Sequence, residues 1–242
     1  MNLIIDIGNT RIKVAVFEQD KLIFVSSFGV DSIQKEINLL IKKYKIKNTV
    51  ISKVAEIPED FLNFLEKHTT LLLLNQLTEV PFINTYKTPN TLGLDRVALI
   101  SNAVKKFPNQ NTLVIDAGTC ITYDFVNKNS EYFGGAISPG LAMRYKSLHT
   151  FTAKLPSLTL NEPISFIGNS TQESIHSGVV NGVIQEINGI IKQYKNKFSD
   201  LTVVLTGGDT KFLSKQLKSS IFANQNFLLE GLNEILIFNK NK

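Results

Sequence analysis

Apolar positions along the chain switch between a two-residue and a three-to-four-residue period, and the switches divide it into strands and helices. Asn2 to Asp6 is a short apolar run that ends on an acid and a glycine, Asp6-Ile7-Gly8. Arg11 to Phe17 then alternates, so the two segments read as strands joined by a tight turn. Lys21 to Phe28 is a third strand, and Asp31 to Tyr44 sets Ile33, Ile37, Leu40 and Ile41 at helical spacing. A strand from Thr49 to Val54, a helical Glu59 to Leu65 and a strand from Thr69 to Leu74 complete a mixed α/β unit, and a helix is expected over Leu92 to Phe107.

The later half restarts in the same way. Thr112 to Ile115 runs into Asp116-Ala117-Gly118-Thr119, and strands follow over Ile121 to Val126 and Tyr132 to Ile137. Beyond Pro139-Gly140 the pattern turns helical, most clearly at Ile175, Val179, Val183, Ile187, Ile190 and Ile191. Leu201 to Leu205 is then a strand that ends on Thr206-Gly207-Gly208-Asp209. The two Asp-x-Gly turns lie 110 residues apart, each leaving one apolar strand and entering another, which points to an internal duplication of one α/β unit. The division is expected near residue 110, giving halves 1–110 and 111–242.

Composition fits a packed globular chain, with 43% hydrophobic and 19% charged residues. The single cysteine, Cys120, allows no intramolecular disulfide, so a reducing compartment, the cytoplasm, is expected. Apolar runs are far shorter than a membrane helix needs, and the opening residues lack the basic region of a signal peptide. A net charge of +5 invites a nucleic-acid reading, but lysines are scattered without interleaved aromatics, so nucleic acid is not an expected partner. Only three of the 26 basic residues are arginine, Arg11, Arg96 and Arg144, and all fall in or beside the motifs below. His68, His149 and His176 stand alone, without a second ligand at metal-binding spacing.

The Walker loop, the kinase signature set and the dinucleotide fingerprint are absent. A nucleotide site would have to be built from the Asp-x-Gly turns. Gly8 lets backbone approach a ligand, Asn9 and Thr10 add short polar groups, and Arg11 and Lys13 share one strand face. A capped hairpin turn with surface cations explains the same residues. Two such turns facing each other across a cleft could hold a polyphosphate and Mg²⁺, carboxylates on the metal and amides on the oxygens. Thr206-Gly207-Gly208 offers a flat glycine surface for an adenosine, or an ordinary strand-to-helix turn.

Six motifs in order make the chain resemble the type III pantothenate kinases of the acetate and sugar kinase, Hsp70 and actin superfamily. They are Asp6 to Lys13, Gly93-Leu94-Asp95-Arg96, Asp116 to Thr119, Gly134 to Leu141, Gly168 to Gly178 and Thr206 to Gly208. Cys120 stands where the family often shows alanine. The resemblance implies two ribonuclease H-like, actin-like ATPase halves with an interdomain cleft. The implied reaction is ATP-dependent phosphorylation of pantothenate to 4'-phosphopantothenate, the first step of coenzyme A biosynthesis. Alternatives are another small-molecule kinase of the superfamily or a non-catalytic regulatory relative.

The resemblance also assigns roles. Asp95 is the implied catalytic base. A carboxylate, though a weak base, suffices there, because in a loose phosphoryl-transfer transition state it orients the hydroxyl and takes its proton late. Asp6, Ile7, Gly8, Asn9, Thr10, Arg11, Ile12, Lys13 and Thr119 are the implied ATP contacts. Tyr86, Gly93, Leu94, Asp95, Arg96 and Thr171 are the implied pantothenate contacts, and Asp116 is the implied ligand of a monovalent cation, K⁺ or NH₄⁺. A first-turn acid at Asp95, a packing tyrosine at Tyr86, a helix cap at Thr171 and a strand-end acid at Asp116 are the simpler readings. The family also implies a homodimer, which Gly178 and Gly182, one turn apart, could serve; an internal helix contact would explain them equally.

Overall fold

The structure, a computed structural model, describes residues 1–8, 12–29, 32–53, 58–217 and 220–240. The expected element ends Arg11, Asp31 and Val54 lie outside the described residues. The chain forms two compact units: Met1–Pro108 with Ser130–Tyr132 and Asn226–Lys242, and Asn109–Asn129 with Phe133–Gln225.

In the first unit β1 (Asn2–Ile7), β2 (Ile12–Glu18), β3 (Lys21–Phe28), β4 (Asn48–Lys53) and β5 (Thr70–Leu73) form a sheet in the order β3-β2-β1-β4-β5. The β3-β2-β1 pairs are antiparallel and the β1-β4-β5 pairs parallel. Strand alternation sends Leu3, Ile5, Ile7, Ile12, Val14 and Val16 to one face, against α1 (Ile33–Tyr44) and α2 (Glu59–His68). Ile4, Ala15, Phe17 and Val50 go to the other, against α3 (Leu94–Lys106) and α7 (Phe227–Lys240). Helices on both faces explain why β1 and β4 are buried along almost their whole length, whereas the edge strand β3 alternates between exposed and half-buried positions. The short β6 (Ile83–Asn84) pairs in parallel with Glu131 and Tyr132, which is why those two residues group with this unit.

In the second unit the order is β9-β8-β7-β10-β11, from β7 (Thr112–Ala117), β8 (Cys120–Val126), β9 (Glu131–Pro139), β10 (Thr202–Thr206) and β11 (Phe222–Ala223). Its third-second-first-fourth-fifth sequence repeats that of the first unit, and so do the antiparallel β7-β8 and parallel β7-β10-β11 pairings. One core joins Leu113, Ile115, Tyr123 and Val203 to α4 (Leu141–Thr150), α5 (Thr171–Lys197) and α6 (Thr210–Gln216). The duplication read from the two Asp-x-Gly turns is therefore a duplication of topology.

Chain order and units part company at the C-terminus. The expected half 111–242 would hold α7, yet α7 joins the first unit. In the duplicated pattern α7, which follows β11, corresponds to α3, which follows β5, and the two pack on each other. Asn102 Nδ2 donates to the Phe227 carbonyl at 2.9 Å, and a chain of amides runs Asn48 to Asn2 to Asn233 to the Gln19 carbonyl at 3.2, 2.9 and 2.8 Å. Gly231 sits so close that a Cβ there would lie 1.9 Å from the Ala98 carbonyl oxygen. Gly231→Ala is expected to cost about 3 kcal/mol, because backbone against backbone cannot yield as a side chain can. Urea unfolding measures this, and a loss below about 1 kcal/mol would show that the helices part freely.

Candidate active site

Strand parity decides which polar side chains can meet. Asp6 falls with Asn2 and Ile4 on the α3/α7 face of β1, and its cross-strand neighbour is Lys13. Asp95, in the first turn of α3, acts on the same carboxylate. Burial pushes the Asp6 carboxyl up to about 6; Lys13 pulls it down, but the like charge of Asp95 pushes it up again. Two carboxylates the sequence separates by 89 positions thus feel each other in one unit.

Gly93 caps α3 with an extended backbone, and Asp95 curls back over it. A Cβ on Gly93 would lie 2.3 Å from Asp95 Oδ1, and that oxygen accepts the Arg96 amide at 2.8 Å. Arg96 is buried, its guanidinium carbon 5.5 Å from the centre of the Tyr86 ring. Tyr86 in turn stacks on Tyr132 at 6.1 Å, and its amide donates to Asn84 Oδ1 at 3.0 Å. Asp6, Lys13, Asp95, Arg96 and Tyr86 therefore belong to the first unit, as do Ile7, Gly8, Ile12, Gly93 and Leu94. Asn9, Thr10 and Arg11 lie outside the described residues. Tyr132, the support under Tyr86, was not singled out by its sequence, since nothing local marks an aromatic that serves a loop 46 positions earlier.

The second unit presents the duplicate turn. Asp116 lies in register with Thr122 on β8 and Thr206 on β10, so the three share the face opposite the apolar core. Gly118 donates its amide to the Cys120 carbonyl at 2.9 Å, and the exposed Thr119 follows. Two glycines seat this turn. A Cβ on Gly140 would meet the Gly118 and Thr119 carbonyl oxygens at 2.2 and 2.5 Å. Gly207 has φ +96°, and a Cβ there would meet the Ala117 carbonyl oxygen and Asp116 Oδ1 at 2.3 Å each. Gly207 is thus filled by the turn, while no described residue comes within 4 Å of a Cβ position on Gly208, which narrows the expected glycine surface to one residue.

Thr171 opens α5, but Ser170 is the cap, its hydroxyl accepting the Glu173 amide at 3.3 Å, so the cap reading of Thr171 does not hold. Thr171 instead lines a cleft of about 930 Å³ with Arg144, Ser147, Ser170, Ser174 and Gly178. Among the described residues nothing lies within 4 Å of a Cβ position on Gly178 or Gly182, so no internal helix contact there explains them. Each histidine has a local partner: His68 Nδ1 meets the Phe64 carbonyl, His149 Nδ1 the Leu155 carbonyl, and His176 Nδ1 the Tyr145 hydroxyl. Among the described residues no three His, Cys, Asp or Glu side chains form a metal cluster, and no helix is long and apolar enough to cross a membrane.

The family model for type III pantothenate kinase matches residues 2–193. The type III pantothenate kinase of Christiangramia forsetii is 52% identical over 241 residues, 99% of each chain, and that of Bacteroides fragilis 43% over 246 residues, all of each chain. Among solved structures, a Campylobacter jejuni protein described as a Baf family transcriptional activator superposes with a TM-score of 0.64 at 22% identity, covering 99% of this chain and 100% of that one. A glucokinase from an Antarctic psychrotroph gives 0.54 at 11% identity, covering 98% of each. At these identities the likeness is one of fold, the paired α/β units described above. With the family model covering most of its length and full-length relatives at up to 52% identity, the chain belongs to the type III pantothenate kinase family.

Proposed function

We infer that this chain transfers the γ-phosphoryl group of ATP to the terminal hydroxyl of pantothenate, yielding 4'-phosphopantothenate at the entry to coenzyme A biosynthesis. The observation that carries the reading is the Asp6–Asp95 pair. Phosphoryl transfer needs one carboxylate for the metal–phosphate complex and a second for the attacking hydroxyl, and the first unit supplies both.

Asp95, at the exposed start of α3, accepts a hydrogen bond from the substrate hydroxyl and takes its proton as the phosphoryl group leaves ADP. Its Oδ1 is held by the Arg96 amide, which leaves Oδ2 for the substrate. Arg96, oriented over Tyr86, reaches an anionic oxygen of substrate or phosphoryl group, and its planar fork suits two oxygens at once. Gly93, Leu94, Tyr86 and Thr171 complete the pantothenate contacts. Asp6 to Lys13 and Thr119 contact ATP, with Lys13 on the face of Asp6 where it can meet phosphate oxygens.

Mg²⁺ fits the donor set, since a half-buried carboxylate raised to about 6 by desolvation and by the like charge of a second acid is a charge excess that a hard dication relieves. Asp6 would hold it, and once bound it would neutralise developing phosphate charge. A monovalent cation, K⁺ or NH₄⁺, fits at Asp116, because Thr122 Oγ1 on the same face is buried without a hydrogen-bond partner among the described residues. Asp116 and Thr122 would supply its oxygen ligands. A homodimer is supported by the open Gly178 and Gly182 on α5 and by the exposed Phe151, Ile164, Phe166 and Ile167 of the same unit. A free cysteine supports a reducing, cytoplasmic setting.

The experiment is ADP release with ATP and Mg²⁺, with and without pantothenate, in Na⁺ and in K⁺ buffer. Release that depends on pantothenate and rises in K⁺ is the expected result. A rate indifferent to pantothenate although ATP binds would make the acceptor wrong, and equal rates in the two buffers would remove the cation role of Asp116. Light scattering on the eluting protein tests the dimer.

A further inference from the structure

Arg144, on α4, is tied down at three points. Its Nε donates to the Pro139 carbonyl at 2.8 Å, and its Nη2 donates to Ser138 Oγ at 2.8 Å and to Glu186 Oε2 at 2.5 Å. Glu186, on α5, is held from the other side by the hydroxyl of the fully buried Tyr123, which donates to Oε1 at 2.8 Å. Burial alone would raise the Glu186 carboxyl, yet the hydrogen bonds from Arg144, Ser138 and Tyr123 outweigh it and hold the group ionised below its usual range. The network thus joins β8, the end of β9, the start of α4 and the middle of α5, all within the second unit.

What it clamps is the corner Ser138-Pro139-Gly140. Gly140 is the residue on which the Asp116–Thr119 turn sits: its amide donates to the Thr119 carbonyl at 3.0 Å, and its Cα leaves no room for a side chain between itself and the Gly118 and Thr119 carbonyls. A shift of the corner must move that turn, because the contact is backbone on backbone.

We propose that the Arg144–Glu186 pair is a positioning device for ATP binding, fixing the Ser138–Gly140 corner and through Gly140 the Gly118–Thr119 backbone. This rests on the reading of Thr119 as an ATP contact. Neither side chain needs to touch the nucleotide. The buried hydroxyl of Tyr123 and the Ser138 hydroxyl complete the clamp, and Arg144 also borders the cleft that holds Thr171, which makes direct contact with the acceptor the rival role to be separated by experiment.

The test is calorimetric ATP binding together with steady-state kinetics on the intact protein carrying Arg144→Gln, Arg144→Lys, Glu186→Gln or the double Arg144→Gln/Glu186→Gln change. In Arg144→Gln the Kd and KM for ATP should rise about tenfold, with kcat held within about threefold and the KM for pantothenate unchanged. Glu186→Gln, which keeps the shape of the side chain, should give a smaller rise of about threefold, and Arg144→Lys should recover part of the loss. The double variant should be no worse than Arg144→Gln alone, as expected for partners in one network. Unchanged ATP binding in folded variants overturns the proposal, and so does a rise in pantothenate KM alone, which would make Arg144 an acceptor contact. If Arg144→Gln fails to fold, Glu186→Gln carries the same two outcomes. Should the wild type show no turnover dependent on pantothenate while ATP Kd still shifts as described, the clamp stands and the acceptor reading falls.

Discussion

Asp6→Asn is expected to make the free protein more stable and to abolish its use of ATP. Burial and the neighbouring Asp95 raise the Asp6 carboxyl to about 6, so the ionised form is disfavoured in the folded chain relative to the unfolded one. The sign follows from linkage. Below the unfolded pKa of about 3.9 the group is neutral in both states and costs nothing; stability is lost as pH rises from there through about 6, and above that the full penalty remains. Two pKa units correspond to up to about 3 kcal/mol at pH 8, which asparagine, neutral and similar in shape, would restore. Urea unfolding at pH 8 and pH 5 checks this: the gap between variant and wild type should be large at the higher pH and shrink at the lower. Adding Mg²⁺ and ATP should raise the wild-type midpoint and leave the variant where it was. For the wild type, kcat/KM for ATP should fall as pH drops through about 6, where Asp6 takes up its proton. A variant no more stable than wild type at pH 8 would mean that Asp6 is not strained by its surroundings. Residual activity near wild type would remove it from the nucleotide site.

Most of the first unit was legible because alternation and helical spacing are local signals, and both sheets keep them: β1 to β5 and β7 to β10 fall where the periodicity placed them, give or take the ends. The duplication was legible too, since an acid and a glycine at a strand end survive as a pair even where the surrounding residues have diverged. What escaped was long-range. The run Phe227 to Leu236 is apolar on most sides because α7 is wedged between α3 and β1, so no single stripe marks it, and nothing in it says that its partner helix begins 133 positions earlier. In the sequence Gly140 marks only the start of a helical stretch and Gly207 a turn at a strand end; their actual constraint is the carbonyl edge of a turn that precedes them by some 20 and 90 residues. Arg144 stood out only for the scarcity of arginine, and its partner Glu186 lies 42 positions away on another helix. The pairings that aim the site are contacts between units of secondary structure, and composition is blind to those.

Asp95→Asn should lower kcat by two to four orders of magnitude, about 10²- to 10⁴-fold, and shift each KM only a few-fold. The amide oxygen can still accept the Arg96 N–H as Oδ1 does at 2.8 Å, so the start of α3 and the seat of the substrate are kept, while the basic oxygen that receives the proton is lost. A second consequence separates this role from a merely structural one. Asp95 is one of the two causes that push the Asp6 carboxyl upward, so removing its charge should move the acid limb of ATP binding to lower pH, a shift that loss of packing would not produce. Gly93→Ala reaches the same oxygen from the other side. The added methyl would fall 2.3 Å from Asp95 Oδ1, and because that atom is the mobile end of a side chain the carboxylate turns away while the backbone stays. The variant should therefore melt with the wild type yet lose about 10- to 100-fold in kcat, the cost of a base held slightly out of line. Should Gly93→Ala keep full kcat, the curl of Asp95 over Gly93 is not the working geometry of the base. Should Asp95→Asn keep it, proton removal does not depend on this carboxylate.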